Sequence, residues 1–145
     1  MDQQHLLPFH LSIPVSDLQN ARHFYRDIVG CQEGRSKPHR VDFNFFGHHI
    51  VAHLMPAEAA HEISKVQAEG SPDRFPVRHF GVIVPIGHWH ELADRMVKAG
   101  VKFVMKPQLR FPGEVREQAI LLCEDNCGNV LEFKGQPAEQ IFAVQ

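Results

Sequence analysis

The sequence predicts an α+β fold in which two copies of one module, a strand, a helix and three further strands, make up a single domain. Residues 9–30 have a counterpart in residues 78–100: each segment opens on a strand carrying a histidine and closes on a glycine. His10 stands 20 residues before Gly30, and His79 stands 21 before Gly100. Three short strand-like stretches follow each glycine. A chain of 145 residues is about one domain and buries roughly two-thirds of the surface that its unfolded form exposes. The reading places the modules at 8–55 and 78–135, a connection at 56–77 and a tail at 136–145, all within one domain spanning 1–145.

The first strand puts Phe9, Leu11, Ile13 and Val15 on one face and His10, Ser12 and Pro14 on the other. Ser16 is the expected N-cap of the helix that follows, with Gln19 completing a capping box. Leu18, Ala21, Phe24, Tyr25 and Ile28 recur at helical spacing, and Gly30 stops the helix. Strands are expected at 32–36, 41–46 and 49–55, with a turn at Ser36-Lys37-Pro38-His39. The connection holds a short helix around 58–67 and a loop at Gly70-Ser71-Pro72. In the second copy Phe80, Val82 and Val84 form the strand's apolar face, and Trp89, Leu92, Ala93 and Met96 form the helical stripe. Strands at 102–106, 118–124 and 129–134 complete it, the last two joined by a tight turn at Asp125-Asn126-Cys127-Gly128-Asn129.

Composition narrows the function. Lys and Arg number 15 against 17 Asp and Glu, a net charge of −2, so no broad cationic surface for nucleic acid is expected. A small-molecule partner is. Cys31, Cys123 and Cys127 fit neither a redox pair nor a thiolate zinc site and read as reduced, packed thiols. No stretch approaches the ~20 apolar residues of a membrane span, and MDQQHLLPFH lacks the basic start of a signal segment. The expected location is cytoplasmic.

The 11 histidines raise the question of a metal, and position decides among them. A single histidine at a strand start is ordinarily a satisfied polar residue. His10 and His79, however, are equivalent within the repeat, and each points away from its strand's apolar face. Glu132 lies between Leu131 and Phe133 on the last strand, on the face opposite both. His53, on the last strand of the first module, is read as its counterpart. His10, His79 and Glu132 with open positions suit Fe(II), whereas four closed ligands including His53 suit zinc or nickel. Manganese is also admitted. His48 and His49 read as turn or rim residues, His88 and His90 as exposed at a helix start, and His5, His23, His39 and His61 as surface residues.

These residues carry a resemblance over nearly the whole chain. The segments Phe9-His10-Leu11-Ser12-Ile13-Pro14-Val15-Ser16-Asp17-Leu18, Ala21-Arg22-His23-Phe24-Tyr25, His79-Phe80-Gly81-Val82 and Gly128-Asn129-Val130-Leu131-Glu132-Phe133-Lys134 resemble the vicinal oxygen chelate superfamily. That superfamily includes glyoxalase I, fosfomycin and bleomycin resistance proteins and extradiol dioxygenases. The resemblance implies an eight-stranded, U-shaped mixed sheet around one divalent metal ion, with helices outside and ligands on the first and last strands of each module. His10, His79 and Glu132 fall at ligand positions and His53 at the fourth, where glyoxalase I has glutamate. Val41-Asp42-Phe43-Asn44-Phe45-Phe46-Gly47-His48 and Phe111-Pro112-Gly113 look most like a small group of predicted extradiol-type dioxygenases.

The resemblance therefore implies a dioxygenase acting on a substrate with vicinal oxygens, with Fe(II) as cofactor and a homodimer as the assembly. A lyase or isomerase using zinc or nickel, or a drug-binding resistance protein, are the alternatives. His53, if not a ligand, is the expected acid–base group. By strand parity Asn44 and Asp42 face the cavity, Asn44 as a catalytic residue and Asp42 as a substrate contact. Arg110 and Phe111, in the turn-rich stretch 107–113, are expected to form a lid and an anion contact.

Overall fold

The computed structural model describes residues 6–60 and 75–142. The first module consists of β1 (His10–Val15), α1 (Leu18–Arg22) continuing as a π-helical segment (His23–Val29), β2 (Gln32–Lys37), β3 (Arg40–Phe45) and β4 (His48–Leu54). A single turn, α2 (Pro56–Ala59), follows. The second module consists of β5 (Phe80–Val84), α3 (Ile86–Lys98), β6 (Phe103–Arg110), β7 (Gln118–Glu124) and β8 (Val130–Gly135), with α4 (Ala138–Ile141) after it. Most of the expected helix at 58–67, the loop at 70–72, His5 and His61 lie outside the described residues. No helix among the described residues is long and apolar enough to cross a membrane.

Each module forms its own mixed four-stranded sheet, ordered β1-β4-β3-β2 and β5-β8-β7-β6, with the first strand at one edge, parallel to the last. Alternation then assigns the faces. Val15, Val41, Phe43 and Ile50 from one sheet, Ala119, Leu121, Leu131 and Phe133 from the other, and Phe24, Tyr25, Trp89, Leu92 and Met96 from the helices share a single core. The opposite parity carries His10, Asp42, His49 and His53 on the first sheet and Glu132 and Lys134 on the second. The three cysteines are free and buried, and burial pushes each thiol up to about 12.

Three local expectations are corrected. The N-cap is Asp17 rather than Ser16; its Oδ1 accepts the Asn20 N–H at 2.7 Å, placing the cap beside the first helical residue. From His23 the helix widens to π geometry, whose i→i+5 bonding brings residues four and five apart onto one face. Phe24, Tyr25, Ile28 and Val29 are thereby buried together. The stretch at 107–113 is turn only from Phe111 onward, because β6 runs through Pro107 to Arg110. Proline lacks a donor N–H and is tolerated here because β6 is an outer strand with irregular register between Met105 and Gln108.

The expected turn at 125–129 is present and does more than reverse the chain. Asn126 and Gly128 hold positive φ (58° and 100°), and Asp125 is fully buried. Its carboxylate accepts from the Tyr25 hydroxyl (2.8 Å), the Asn129 side-chain amide (2.9 Å) and the backbone N–H groups of Cys127 (2.8 Å) and Asn129 (2.9 Å). Asn129 Nδ2 also donates to the Pro14 carbonyl on β1 at 2.9 Å, so the turn binds both the helix and the first strand of the other module. Burial pushes the Asp125 carboxyl up, against the lowering effect of these donors. Burial first, and then Asp125, push the Tyr25 hydroxyl well up.

Tyr25→Phe removes one of these donors and keeps the ring. It is expected to cost about 1–3 kcal/mol, lowering the thermal midpoint by about 3–10 °C for a chain of this size. Circular dichroism melting checks this; an unchanged midpoint contradicts the assigned role.

Candidate metal centre

The alternation of β8 sends Leu131 and Phe133 into the core and turns Glu132 to the other face. His79, immediately before β5, meets it there, with Nε2 2.9 Å from Glu132 Oε2. Its Nδ1–H donates to the Pro76 carbonyl. Both ring nitrogens thus face oxygen acceptors, so the gap between Nε2 and Oε2 calls for positive charge, supplied by a proton or a metal ion. The two side chains are each 17% exposed, and a largely desolvated imidazole–carboxylate pair suits a divalent transition metal.

Close approach of the backbones sets this geometry. Gly81 pairs with Glu132 across the parallel β5/β8 ladder, and a Cβ at Gly81 would overlap the Glu132 carbonyl. Beside the pair lies a cavity of about 180 Å³ lined by Phe75, Met105, Arg110, Gln118, Ile120, Leu122, Glu132 and Lys134. Lys134 Nζ lies 3.6 Å from Glu132 Oε1, and Arg110 Nη2 reaches Met105 Sδ at 3.7 Å. The cavity has an apolar floor and two cations.

His10 lies on the other sheet. Its Nδ1 is 2.9 Å from His49 Nδ1, and His49 Nε2 is 3.2 Å from Asp42 Oδ2. Arg35 Nε donates to the same carboxylate oxygen at 3.2 Å. Asp42 is 4% exposed; burial pushes its carboxyl up, but hydrogen bonds from His49 and Arg35 and the nearby Arg40 charge hold it below the usual value. Among the described residues no three His, Cys, Asp or Glu side chains gather closely enough to hold a metal ion. One chain therefore joins His79 to Glu132 and leaves His10 apart from them.

The other candidate residues fall as follows. His53 pairs with Arg40 on β3 and Pro14 on β1. Counted from each opening histidine, Ser12 pairs with Val51 and Gly81 with Glu132, so the place matching Glu132 belongs to Val51. His53 sits two residues further on, level with Lys134. Asn44 Oδ1 accepts the Gly47 N–H at 2.8 Å and stabilises the β3–β4 turn. Phe111 has φ 53° and carries the Arg116 guanidinium 3.8 Å above its ring. Sequence reasoning passed over His49 as a rim residue, and His48 Nδ1 instead accepts the Phe9 N–H at 3.0 Å.

Residues 8–133 match the profile of the glyoxalase/bleomycin resistance protein/dioxygenase superfamily. The chain belongs to that superfamily. A solved member from Alicyclobacillus acidocaldarius is 28% identical, with a TM-score of 0.72 over 99% of this chain and 100% of that one. The fosfomycin resistance protein FosX from Listeria monocytogenes shares the superfamily fold at 18% identity, with a TM-score of 0.66 over 90% of this chain and 93% of its own. A glutamate-to-glutamine mutant of that FosX was solved with Mn(II) and 1S,2S-dihydroxypropylphosphonic acid; it is 17% identical, with a TM-score of 0.65, covering 92% of this chain and 94% of its own. A search of curated proteins found no match.

Gly81→Ala tests whether backbone contact positions Glu132. The substitution is expected to displace β8 and to weaken Mn(II) binding on the order of tenfold while far-UV circular dichroism remains that of the folded protein. Electron paramagnetic resonance titration measures it, and wild-type affinity contradicts the assignment.

Proposed function

We propose that this chain is a metal-dependent enzyme of extradiol-dioxygenase type. In it His79 and Glu132 of one subunit and the partner subunit's His10 hold one Fe(II) ion in a homodimer. The observation that carries the reading is the 2.9 Å approach of His79 Nε2 to Glu132 Oε2, two groups that a cation must join, at the edge of a cavity. The topology supports the dimer. β1 and β5 are each the outer strand of a four-stranded sheet, so pairing β1 of one copy with β5 of another makes an eight-stranded U and carries the third donor across.

When bound, the metal supplies a Lewis-acidic, redox-active centre for a substrate with two adjacent oxygens, such as a catechol, and for dioxygen. The chain supplies the rest. Phe75, Met105, Ile120 and Leu122 pack an apolar ring and exclude water, and Arg110 and Lys134 meet an anionic substituent. On the facing sheet His53 accepts or returns the proton of a substrate hydroxyl, and the Asn44 amide orients the substrate. Asp42 acts from behind through its bonds to His49 and Arg35, and Phe111 ends the strand that carries Arg110. The Mn(II) and diol complex of FosX favours a second reading, chemistry on vicinal oxygens without dioxygen, of lyase or isomerase type.

Oxygen uptake with catechols, after anaerobic loading with Fe(II), is expected and is abolished by His79→Ala or Glu132→Gln. Turnover with zinc or nickel and no oxygen consumption selects the second reading instead. Mixing separately inactive His10→Ala and Glu132→Gln proteins is expected to restore about one quarter of wild-type activity. Random reassortment of a symmetric dimer makes half the molecules hybrids, each with one intact site of two. No recovery after subunit exchange sinks the shared site.

A further inference from the structure

His49 is outside the proposed donor set, yet it touches the one donor that stands apart from the others. Asp42, His49 and His10 form a series: Oδ2 to Nε2 at 3.2 Å, then Nδ1 to Nδ1 at 2.9 Å. The backbone fixes the series in place. His10 and His49 are register partners across the parallel β1/β4 ladder, the His49 N–H donates to the Phe9 carbonyl at 2.8 Å, and the imidazoles lie 4.9 Å apart with their planes tilted by 32°.

The order of protons along the series follows from what each group can do. The ionised carboxylate of Asp42 accepts only, and its Oδ1 is buried with no hydrogen-bond partner among the described residues, so His49 Nε2 must donate to Oδ2. A His49 ring with one proton then presents a bare Nδ1. The 2.9 Å approach of His10 Nδ1 requires a proton between the two nitrogens, and it can come only from His10. His10 is thereby protonated at Nδ1, and its Nε2 keeps the lone pair that a metal needs. The reverse tautomer would set two bare nitrogens against each other.

We infer that His49 and Asp42 are positioning residues that hold His10 as the Nδ1–H tautomer and aim its Nε2 as a metal donor. The inference rests on the reading of His10 as a metal ligand given above. It gives His10 the same kind of support that the Pro76 carbonyl gives His79: a hydrogen bond to the rear nitrogen that fixes ring and tautomer.

Nitrogen-15 NMR of histidine-labelled, metal-free protein is expected to show His10 protonated at Nδ1 and bare at Nε2. His49→Phe and Asp42→Asn are each expected to weaken Mn(II) binding about 10–100-fold, and His49→Phe to move the His10 signals toward the Nε2–H form. His49→Gln is expected to recover part of the loss, because one planar amide can accept from His10 and donate to Asp42. A purely structural role would lower the melting temperature of these variants and leave tautomer and affinity unchanged. Wild-type His10 found as the Nε2–H tautomer, or Mn(II) affinity within about twofold of wild type in both His49→Phe and Asp42→Asn, overturns the inference. His10→Ala separates the two levels. If it destroys Mn(II) binding while His49→Phe does not, this inference alone fails; if it leaves binding intact, the underlying metal-centre reading fails.

Discussion

Asp125 is buried completely and, among the described residues, accepts four hydrogen bonds, none from a cation. A carboxylate in such surroundings is stable only while its donors stay in place, and those donors come from both modules. Tyr25 belongs to the first helix, and Asn129 also fastens the β1 carbonyl of Pro14. The strand that leaves this turn reaches Glu132 three residues later; the strand pinned at Pro14 began at His10. Both proposed metal-bearing strands are therefore referenced to one buried carboxylate, and Arg95, donating to the Ile28 and Val29 carbonyls, adds a second tie between the modules.

The architecture was legible in the sequence because the repeat is written in residues that alternation makes visible. A histidine opposite an apolar strand face, a helical stripe and a terminating glycine can be read without a partner strand. That Glu132 faces away from the core was legible for the same reason, since it stands between Leu131 and Phe133. What could not be read was register. His53 resembled the counterpart of Glu132 because both stand on the last strand of a module, but ladder pairing places Val51 there, and pairing depends on atoms far apart in the chain. His49 was hidden similarly, its partners His10 and Asp42 being supplied by two neighbouring strands. The shift from α to π winding after Arg22 leaves no signature in a pattern that both geometries bury.

The two sheets present unlike surfaces on their non-core faces. The first is polar, with Arg35, Asp42, His49 and His10 joined in series by hydrogen bonds, a network suited to holding groups in fixed orientation. The second is apolar around Ile120, Leu122 and Val130, with Phe75, Val104 and Met105 packed against them, and its charges stand at the margin. Fixed polar geometry on one wall and a water-excluding floor on the other are complementary requirements of a site that must orient a small polar group beside an apolar body.

The ladder register has a further consequence for symmetry. An internal repeat built on equivalent histidines would, if complete, generate two equivalent centres. The first sheet cannot supply its half, because the position level with Glu132 is Val51, 3% exposed and without a donor atom. The duplication is thus broken at one residue of one strand, and the proposed centre at the His79–Glu132 pair would give one ion per chain rather than two.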